Sequence, residues 1–299
     1  MLVVLTGSTA SGKTSAALTL ADDFPIEVIS ADSRQVYRGM DIGTAKPSAA
    51  ERARVPHHLV DIIDPSETYS AHRFVQDARR ALDDIRGRGR VPVVVGGTGF
   101  YIKALLEASL LAAVPPNTEL RDELDALQAR EGVAGLAARL ERLDPTRAAT
   151  VDRANPRRLI RAIEVAERRQ PVGKAPAPPP SVIFGIELPA DVLSAFIERR
   201  VQAMYAGGLV EETRTLLERG VSADAPALTG VGYGEAAAVL AGGLTLDDAK
   251  QRTMTRTRQY ARRQRTWFRH QLPVHWRTPE TIVEALAAQL RGLDKARRS

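Results

Sequence analysis

Short apolar runs alternate with an amphipathic stretch over the first third of the chain. Runs at 1–6, 26–30, 58–63 and 91–95 have the length of buried strands, whereas residues 71–86 place apolar side chains on one face of a helix. Alternating strands and helices predict a parallel sheet with helices covering both faces. Ligands of such sheets bind at the carboxyl ends of the strands.

The pattern changes near Leu110. Residues 117–169 are rich in arginine, alanine, leucine and glutamate, and they show helical periodicity without a convincing strand. A proline-rich stretch at 170–180 follows and indicates an extended connector. The segment therefore predicts an all-helical insertion at residues 115–180.

A strand-like apolar run at 181–188 restores the first pattern. The elements predicted after it are helices at about 191–219, 233–240 and 245–270 and a short strand at 273–276. The predicted fold class is therefore α/β, with a core of residues 1–114 and 181–299 that the helical insertion interrupts.

Length and composition exclude several classes of protein. The chain has 299 residues and no cysteine, which excludes disulfides, zinc–thiolate sites and thiol catalysis. It has no apolar run of about eighteen residues, so no membrane partner is expected. The N-terminus has a strand pattern and not that of a signal peptide, which makes the cytoplasm the expected location. A net charge of +6 favours an anionic partner.

A phosphate-binding loop of the form G-x-x-x-x-G-K-[ST] lies between the first predicted strand and a helix. Glycines let successive amides surround an anion, and the helix N-terminus adds positive potential. Lys13 neutralises phosphate charge and the Thr14 hydroxyl can bind Mg²⁺. The residues expected to bind the phosphates are Gly7, Ser8, Thr9, Ala10, Ser11, Gly12, Lys13 and Thr14. The loop alone does not select between ATP and a diphosphate.

Two further segments follow strands on the same edge of the predicted sheet. Asp32 follows the second strand, where it can cap a turn, act as a general base or bind a metal. The turn Gly96–Gly99 follows the fourth strand and leaves the backbone open for close approach. A nucleotide-hydrolysing enzyme would have an acidic residue near this centre, a role open to Asp61 or Asp64.

Positive charge is concentrated near the carboxyl terminus. Residues 249–279 contain no acidic residue and nine basic ones, which are Lys250, Arg252, Arg256, Arg258, Arg262, Arg263, Arg265, Arg269 and Arg277. Met254, Ala261 and Phe268 recur at seven-residue spacing and predict the buried face of one helix. Uncompensated positive charge on the opposite face favours a nucleic acid.

Taken together, these stretches resemble one family, the tRNA dimethylallyltransferases (adenosine isopentenyltransferases). The matching segments, in family order, are Gly7–Thr14, Ser30–Ser33, Gln35–Pro47, Val55–Leu59, Gly96–Gly99, Arg157–Ala162, Gly230–Tyr233 and Thr257–Gln264. The resemblance implies a P-loop-type core that transfers a dimethylallyl group from dimethylallyl diphosphate to the N6 amine of the adenosine on the 3′ side of the anticodon in tRNA. It also implies a Mg²⁺ requirement and an insertion that contacts the tRNA anticodon stem-loop.

The same resemblance implies roles for individual residues. Asp32 would be the general base, and Thr98 would contact the RNA near the reacting amine. The residues expected against the RNA are Asp32, Ser33, Arg34, Gln35, Thr98, Arg121, Arg157, Arg158 and Arg161, to which the basic helix adds Arg258 and Arg262. Arg34 and Phe196 depart from the family pattern. Since an arginine is common at the position of Phe196, we expect Arg200 to contact the diphosphate, and we expect a monomer.

Two other functions are compatible with the phosphate loop. A small-molecule or nucleoside kinase would use the loop for ATP and the insertion as a lid. An RNA-binding ATPase would hydrolyse a nucleotide there. A small substrate does not explain the acid-free positive segment, and no glutamine beside a clear acidic residue is placed to orient water. The transferase is therefore the expected function.

Overall fold

The computed structural model describes residues 1–107, 117–167 and 180–298. Most of the proline-rich connector predicted at 170–180 lies outside the described residues. The chain divides into two compact units, which we call the core unit, Met1–Leu106 with Pro178–Ser299, and the helical unit, Glu107–Ala177.

A parallel sheet forms the centre of the core unit. Its strands are β1 (Leu2–Gly7), β2 (Ile26–Ser30), β3 (His57–His58), β4 (Val91–Gly96), β5 (Ser181–Ile186) and β6 (Val274–Arg277). Within the described ranges they form one six-stranded sheet of order β3-β2-β4-β1-β5-β6, and every pairing is parallel. The predicted fold class is confirmed.

The strand order brings three loops to one place. Val3 of β1 and Val28 of β2 both pair with Val93, so β4 lies between these two strands. The carboxyl ends of β1, β2 and β4 are therefore neighbours on one edge of the sheet. The phosphate-binding loop, the Asp32 segment and the Gly96–Gly99 turn all leave from this edge.

Helices follow most of the strands. In chain order they are α1 (Lys13–Asp23), α2 (Ala49–Arg54), α3 (Ala71–Gly87), α4 (Gly99–Leu106), α5 (Thr118–Leu143), α6 (Pro145–Thr150), α7 (Pro156–Glu167), α8 (Ala190–Ala206), α9 (Leu209–Glu218), α10 (Tyr233–Leu240), α11 (Leu246–Gln271) and α12 (Pro279–Arg298). The predicted buried face of α11 is confirmed, because Met254, Ala261 and Phe268 are all buried.

One face of the sheet packs against α1 and α12. Leu20 of α1 joins Ile282, Leu286 and Leu290 of α12 in a cluster with the buried valines of the strands. Burying an aliphatic side chain of this size contributes roughly 1.5–3 kcal/mol. The sequence analysis did not predict α12, although these three residues recur at four-residue spacing.

Two predicted elements differ from the structure. The strand predicted at 58–63 is wrong beyond His58, because Leu59 and Asp61 have φ values of 62° and 58°, which no strand accommodates. The single helix predicted at 191–219 is two helices, α8 and α9. They separate at Gly208, whose φ of 98° is in the left-handed region that favours glycine.

The helical unit contains α5, α6 and α7 around its own apolar cluster. Leu124, Leu136 and Leu140 of α5 pack with Leu159 and Ile163 of α7, and all five are buried. The helices predicted for this segment are present in its described part. Across the described ranges, no helix combines the length and apolarity that a bilayer crossing requires.

Candidate active site

The phosphate-binding loop has the open amides that an anion requires. It leaves β1 at Gly7, and Gly12 precedes α1 with a φ of 89°. No side chain caps the N-terminus of α1, so the first N–H groups of this helix can meet a ligand. The Ser11 hydroxyl is buried without a hydrogen-bond partner among the described residues, and a polar ligand would supply one.

Two desolvated cations stand beside this loop. Lys13 donates to the carbonyls of Gly7 at 3.2 Å and Ser8 at 2.7 Å. Burial first and Arg200 second lower the pKa of Lys13 to about 8, while Asp32 opposes the shift. Burial also lowers the pKa of Arg200, which comes from α8. Cations removed from water in this way favour a bound anion.

Asp32 uses its two carboxylate oxygens differently. Oδ1 accepts the backbone N–H of Arg34 at 2.8 Å and that of Gln35 at 3.3 Å, which caps the turn after β2. Oδ2 forms no hydrogen bond within the described part of the chain. The turn-capping role and an open acceptor are therefore present in one side chain.

Thr98 joins the turn after β4 to the Asp32 segment. Its N–H donates to the carbonyl of Ala31 at 3.1 Å, and its Oγ1 accepts the N–H of Ser33 at 3.1 Å. A Cβ at Gly96 would collide with the backbone of Ala31, which explains a glycine there. Thr98 does not line either of the cavities described next.

Two cavities meet at Asp32. The first has a volume of about 560 Å³ and is lined by loop residues Thr9 to Thr14 with Lys46, Phe196 and Arg199 among others. The second, of about 320 Å³, is lined by Ser33, Arg34, Tyr233, Arg256 and Arg263 among others. Four residues line both, namely Thr9, Asp32, Arg200 and Tyr260. Asp32 therefore borders both a space against the phosphate-binding loop and a second space of ligand size.

Gln264 of α11 is a site residue to which the sequence analysis gave no role. It is buried, its Oε1 accepts the N–H of Thr9 at 2.8 Å, and its Nε2 donates to the carbonyl of Gly97 at 2.9 Å. Tyr260 lies one turn earlier, and burial raises the pKa of its hydroxyl to about 12. Because residues four apart lie on the same face of a helix, the spacing of Tyr260 and Gln264 could have indicated that both face the site.

A carboxylate fixes the segment that follows Met40. Glu212 accepts the N–H groups of Asp41, Ile42 and Gly43 at 2.8, 2.8 and 3.1 Å, and the hydroxyl of Tyr233 at 2.6 Å. The next residues along the chain line the two cavities. Glu212 thus shapes the site without facing a ligand.

The two aspartates considered for a nucleotide-hydrolysing role are placed elsewhere. Asp61 pairs with Lys46 and with Arg52, the latter at 2.8 Å. Asp64 accepts the Ser66 hydroxyl at 2.7 Å. Neither lines the cavities, so neither Asp61 nor Asp64 is placed to act on a ligand bound there.

Arg34 and the cations of α11 are partly engaged within the core unit. Arg34 donates to the carbonyls of Pro226 and Ala227. Acidic residues outside the positive segment pair with some of its cations, as Glu235 does with Arg256 at 2.6 Å. Further pairs are Glu198 with Arg258, Glu187 with Arg269 and Asp247 with Lys250. Arg252, Arg262, Arg263 and Arg265 have no ion pair with a described residue.

Two of the four arginines predicted against RNA in the helical unit contact a buried acid. Arg121 binds the two Glu164 oxygens at 2.7 and 3.1 Å, and Arg161 binds Oε2 at 3.0 Å. Burial alone would raise the pKa of Glu164, but the hydrogen bonds of Arg121 and Arg161 outweigh it and the pKa is lowered. Arg157 and Arg158 are exposed, and Arg158 lies 3.4 Å from Asp152.

Family models match most of this chain. The model described as IPP transferase matches residues 35–271, and the one described as isopentenyl transferase matches residues 1–57. The chain is 47% identical to a tRNA dimethylallyltransferase of Thermomicrobium roseum over 92% of this chain and 85% of that protein. It is 43% identical to one of Anaeromyxobacter dehalogenans over 97% and 98%.

Solved structures of similar proteins share the fold. The tRNA isopentenylpyrophosphate transferase of Bacillus halodurans matches with a TM-score of 0.72 and 38% identity, over 97% of this chain and 95% of that one. A eukaryotic dimethylallyltransferase, solved acting on tRNA, matches with a TM-score of 0.77 and 25% identity, over 97% and 77%.

Proposed function

The chain belongs to the IPP transferase family of tRNA dimethylallyltransferases, and from that premise we propose the donor, the acceptor atom and the residues that act on them. The enzyme prenylates tRNA. Its donor is dimethylallyl diphosphate, and the acceptor is the N6 amine of the adenosine on the 3′ side of the anticodon. The observation that carries this assignment is the position of Asp32, which lines both cavities.

The first cavity holds the donor's diphosphate. The α1 amides, Lys13 and Arg200 surround the position where negative charge grows as the allylic C–O bond breaks. Fixed donors aimed at developing charge lower the barrier by several kcal/mol in a water-poor site. The Ser11 hydroxyl is a further candidate donor to the diphosphate.

Mg²⁺ suits this site as a partner of the diphosphate. Among the described residues, no cluster of three or more metal-ligating side chains is present. Mg²⁺ commonly uses one or two protein oxygens with substrate phosphates and water, and the Thr14 hydroxyl, which we expect to bind the ion, borders a small pocket beneath the loop. When bound, the ion would neutralise charge on the leaving diphosphate.

Asp32 acts on the acceptor. The adenine amine is a weak nucleophile because its lone pair is delocalised into the ring. Oδ2 accepts a hydrogen bond from N6 and takes its proton as the N6–C1 bond forms and the C1–O bond to the diphosphate breaks. A positioned base contributes typically about 10²–10⁴-fold in rate. Oδ1 holds the side chain in place through Arg34 and Gln35.

The second cavity admits the flipped adenosine. Its walls contain Arg34, Tyr233, Tyr260 and Arg263, and aromatic and guanidinium planes commonly stack on bases removed from an RNA loop. The remaining RNA contacts keep the expected set, with Ser33, Gln35, Thr98, Arg258 and Arg262 in the core unit and Arg121, Arg157, Arg158 and Arg161 in the helical unit. We further propose that the enzyme is a monomer, since one chain forms both cavities. We also propose a cytoplasmic location, where its tRNA substrate is found.

Isotope-labelled dimethylallyl diphosphate, incubated with Mg²⁺ and an unmodified tRNA transcript, tests the proposal. Label should enter the RNA, and digestion should recover it on the N6 amine of the adenosine 3′ to the anticodon. A transcript with guanosine at that position is the control and should take up no label. A parallel incubation contains ATP in addition, and consumption of ATP there without label transfer would instead indicate a kinase or an ATPase.

A further inference from the structure

Gln264 connects the two sides of the proposed site. Its Oε1 accepts the N–H of Thr9 in the phosphate-binding loop, and its Nε2 donates to the carbonyl of Gly97, the residue before Thr98. Within the described ranges, Gln264 is the one residue of α11 whose side chain forms a hydrogen bond with the phosphate-binding loop. The two bonds are 2.8 and 2.9 Å long, within the usual range for N–H···O hydrogen bonds, and Gln264 is only 7% exposed.

The bond to Thr9 sets the path of the loop backbone. Thr9 lines both cavities, and its amide points to Gln264 instead of toward a ligand. The adjoining loop amides then keep their direction toward the anion site, because each peptide unit is planar and only the φ and ψ angles of the residue between two units set their relative orientation. Gln264 thus fixes the entry of the loop that holds the diphosphate.

The bond to Gly97 sets the acceptor side. A Cβ at Gly97 would collide with Nε2 of Gln264, so the amide lies directly against the backbone. The next residue, Thr98, holds the Asp32 segment through the N–H of Ser33. One buried amide therefore contacts the turn that supports Asp32 and the loop that supports the donor.

We infer that Gln264 is a positioning residue that holds the donor's diphosphate and the Asp32 segment at the separation required for transfer. This inference rests on the proposed function. Gln264 also lines the first cavity and hydrogen-bonds Tyr260. Its bonds to Thr9 and Gly97, however, hold backbone in place, so we expect its loss to act mainly on the placement of the substrates. Misplacement of reacting groups by about 1 Å can cost about 10²-fold in rate.

The test compares Gln264→Met and Gln264→Glu with the wild-type enzyme under single-turnover conditions. Methionine keeps the volume without the hydrogen bonds, and glutamate keeps an acceptor for Thr9 but cannot donate to Gly97. We expect the rate constant for label transfer to fall about 30- to 100-fold in both. The affinity of Gln264→Met for tRNA should stay within threefold of wild type, and its affinity for inorganic diphosphate should fall by much less than the rate constant does.

The amplitude of the single-turnover reaction distinguishes positioning from folding. A purely structural role would lower the fraction of active enzyme and leave the rate constant of that fraction unchanged. Positioning lowers the rate constant at full amplitude. Gln76→Glu, at an exposed position of α3 away from the positive segment, carries the same charge change as Gln264→Glu and should behave as wild type.

Gly97→Ala disturbs the same contact from the other side. The added methyl displaces the amide of Gln264 and should reduce the rate constant similarly, whereas adding it to Gln264→Ala should cost little more. Wild-type rate constants in both Gln264→Met and Gly97→Ala would overturn the inference. Absence of transfer by the wild-type enzyme would instead overturn the proposed function.

Discussion

At the residue scale, the two oxygens of Asp32 have different surroundings, so one side chain holds a turn and still offers an open acceptor. Oδ1 caps a turn through two backbone amides, and Oδ2 remains open where two cavities meet. The sequence is compatible with turn capping and with catalysis, since an aspartate that follows a parallel strand commonly has one role or the other. The two cavities beside Asp32 favour the proposed catalytic role over a purely structural one.

Asp32→Asn separates these two roles. Asparagine keeps an oxygen for the amides of Arg34 and Gln35 but cannot take a proton from N6, so transfer should slow by about 10²–10⁴-fold. Single-turnover label transfer measures the loss, and calorimetry with inorganic diphosphate should show an affinity within threefold of wild type. Transfer at the wild-type rate would remove Asp32 from the mechanism.

Lys13 gives donor binding a pH dependence. Its pKa of about 8 means that the free enzyme loses this charge as the pH rises above 8, while a bound anion favours the protonated form. The affinity for an alkyl diphosphate should therefore fall between pH 8 and 10, by up to tenfold per pH unit. Lys13→Arg keeps its charge and should give a flat profile, and a flat wild-type profile would contradict the assignment.

At the scale of elements, most strands and helices follow from periodicity, and the exceptions have local causes. β1, β2 and β4 are continuous apolar runs, and the predicted helices at 71–86 and 245–270 match α3 and α11 closely. The strand predicted at 58–63 does not extend beyond His58, because Leu59 and Asp61 adopt left-handed backbone conformations. Asp61 is held there by Lys46 and Arg52, and these contacts are not visible in a local pattern.

The arginines of α11 differ in how much charge they can offer to RNA. Arg262 is exposed without an ion pair in the described part of the chain, whereas Arg269 pairs with Glu187. Arg262→Gln should weaken tRNA binding and reduce the slope of log affinity against log salt by about 1. Filter binding at several salt concentrations measures both. Arg269→Gln is the matched control, and an equal slope change in the two variants would contradict the distinction.

Glu164 holds α5 to α7 in the helical unit. Glu164→Gln removes the charge that Glu164 contributes to its pairs with Arg121 and Arg161 and should lower the free energy of unfolding by about 1–3 kcal/mol. The lowered pKa of Glu164 means that its stabilisation is complete above its unfolded pKa of about 4.3 and is lost as the pH falls through the folded value.

Thermal unfolding as a function of pH checks this sign. The difference between wild type and Glu164→Gln should be largest near neutral pH and should shrink below about pH 4. Glu141→Gln, at an exposed position of α5, is the control and should change stability little. A difference that grows toward low pH would contradict the role assigned to Glu164.

At the scale of the whole molecule, the sequence predicts the segments that line the cavities better than the contacts that align these segments. Gly7–Thr14 and Asp32 follow strands on one edge, so local pattern and sheet topology locate them. Gln264 and Glu212 act through partners far away in the chain, and no local pattern reports such a partner. For the same reason, an acid-free segment looked uncompensated although Glu187 and Glu235 pair with its arginines.

A crystal structure of the enzyme with Mg²⁺, an unmodified tRNA and a non-hydrolysable thiolo analogue of dimethylallyl diphosphate tests the central claim most directly. The account predicts the diphosphate on the amides of α1 and Lys13, and the adenine N6 within about 3.2 Å of Asp32 Oδ2. An adenine bound elsewhere, or a diphosphate away from the phosphate-binding loop, would contradict it.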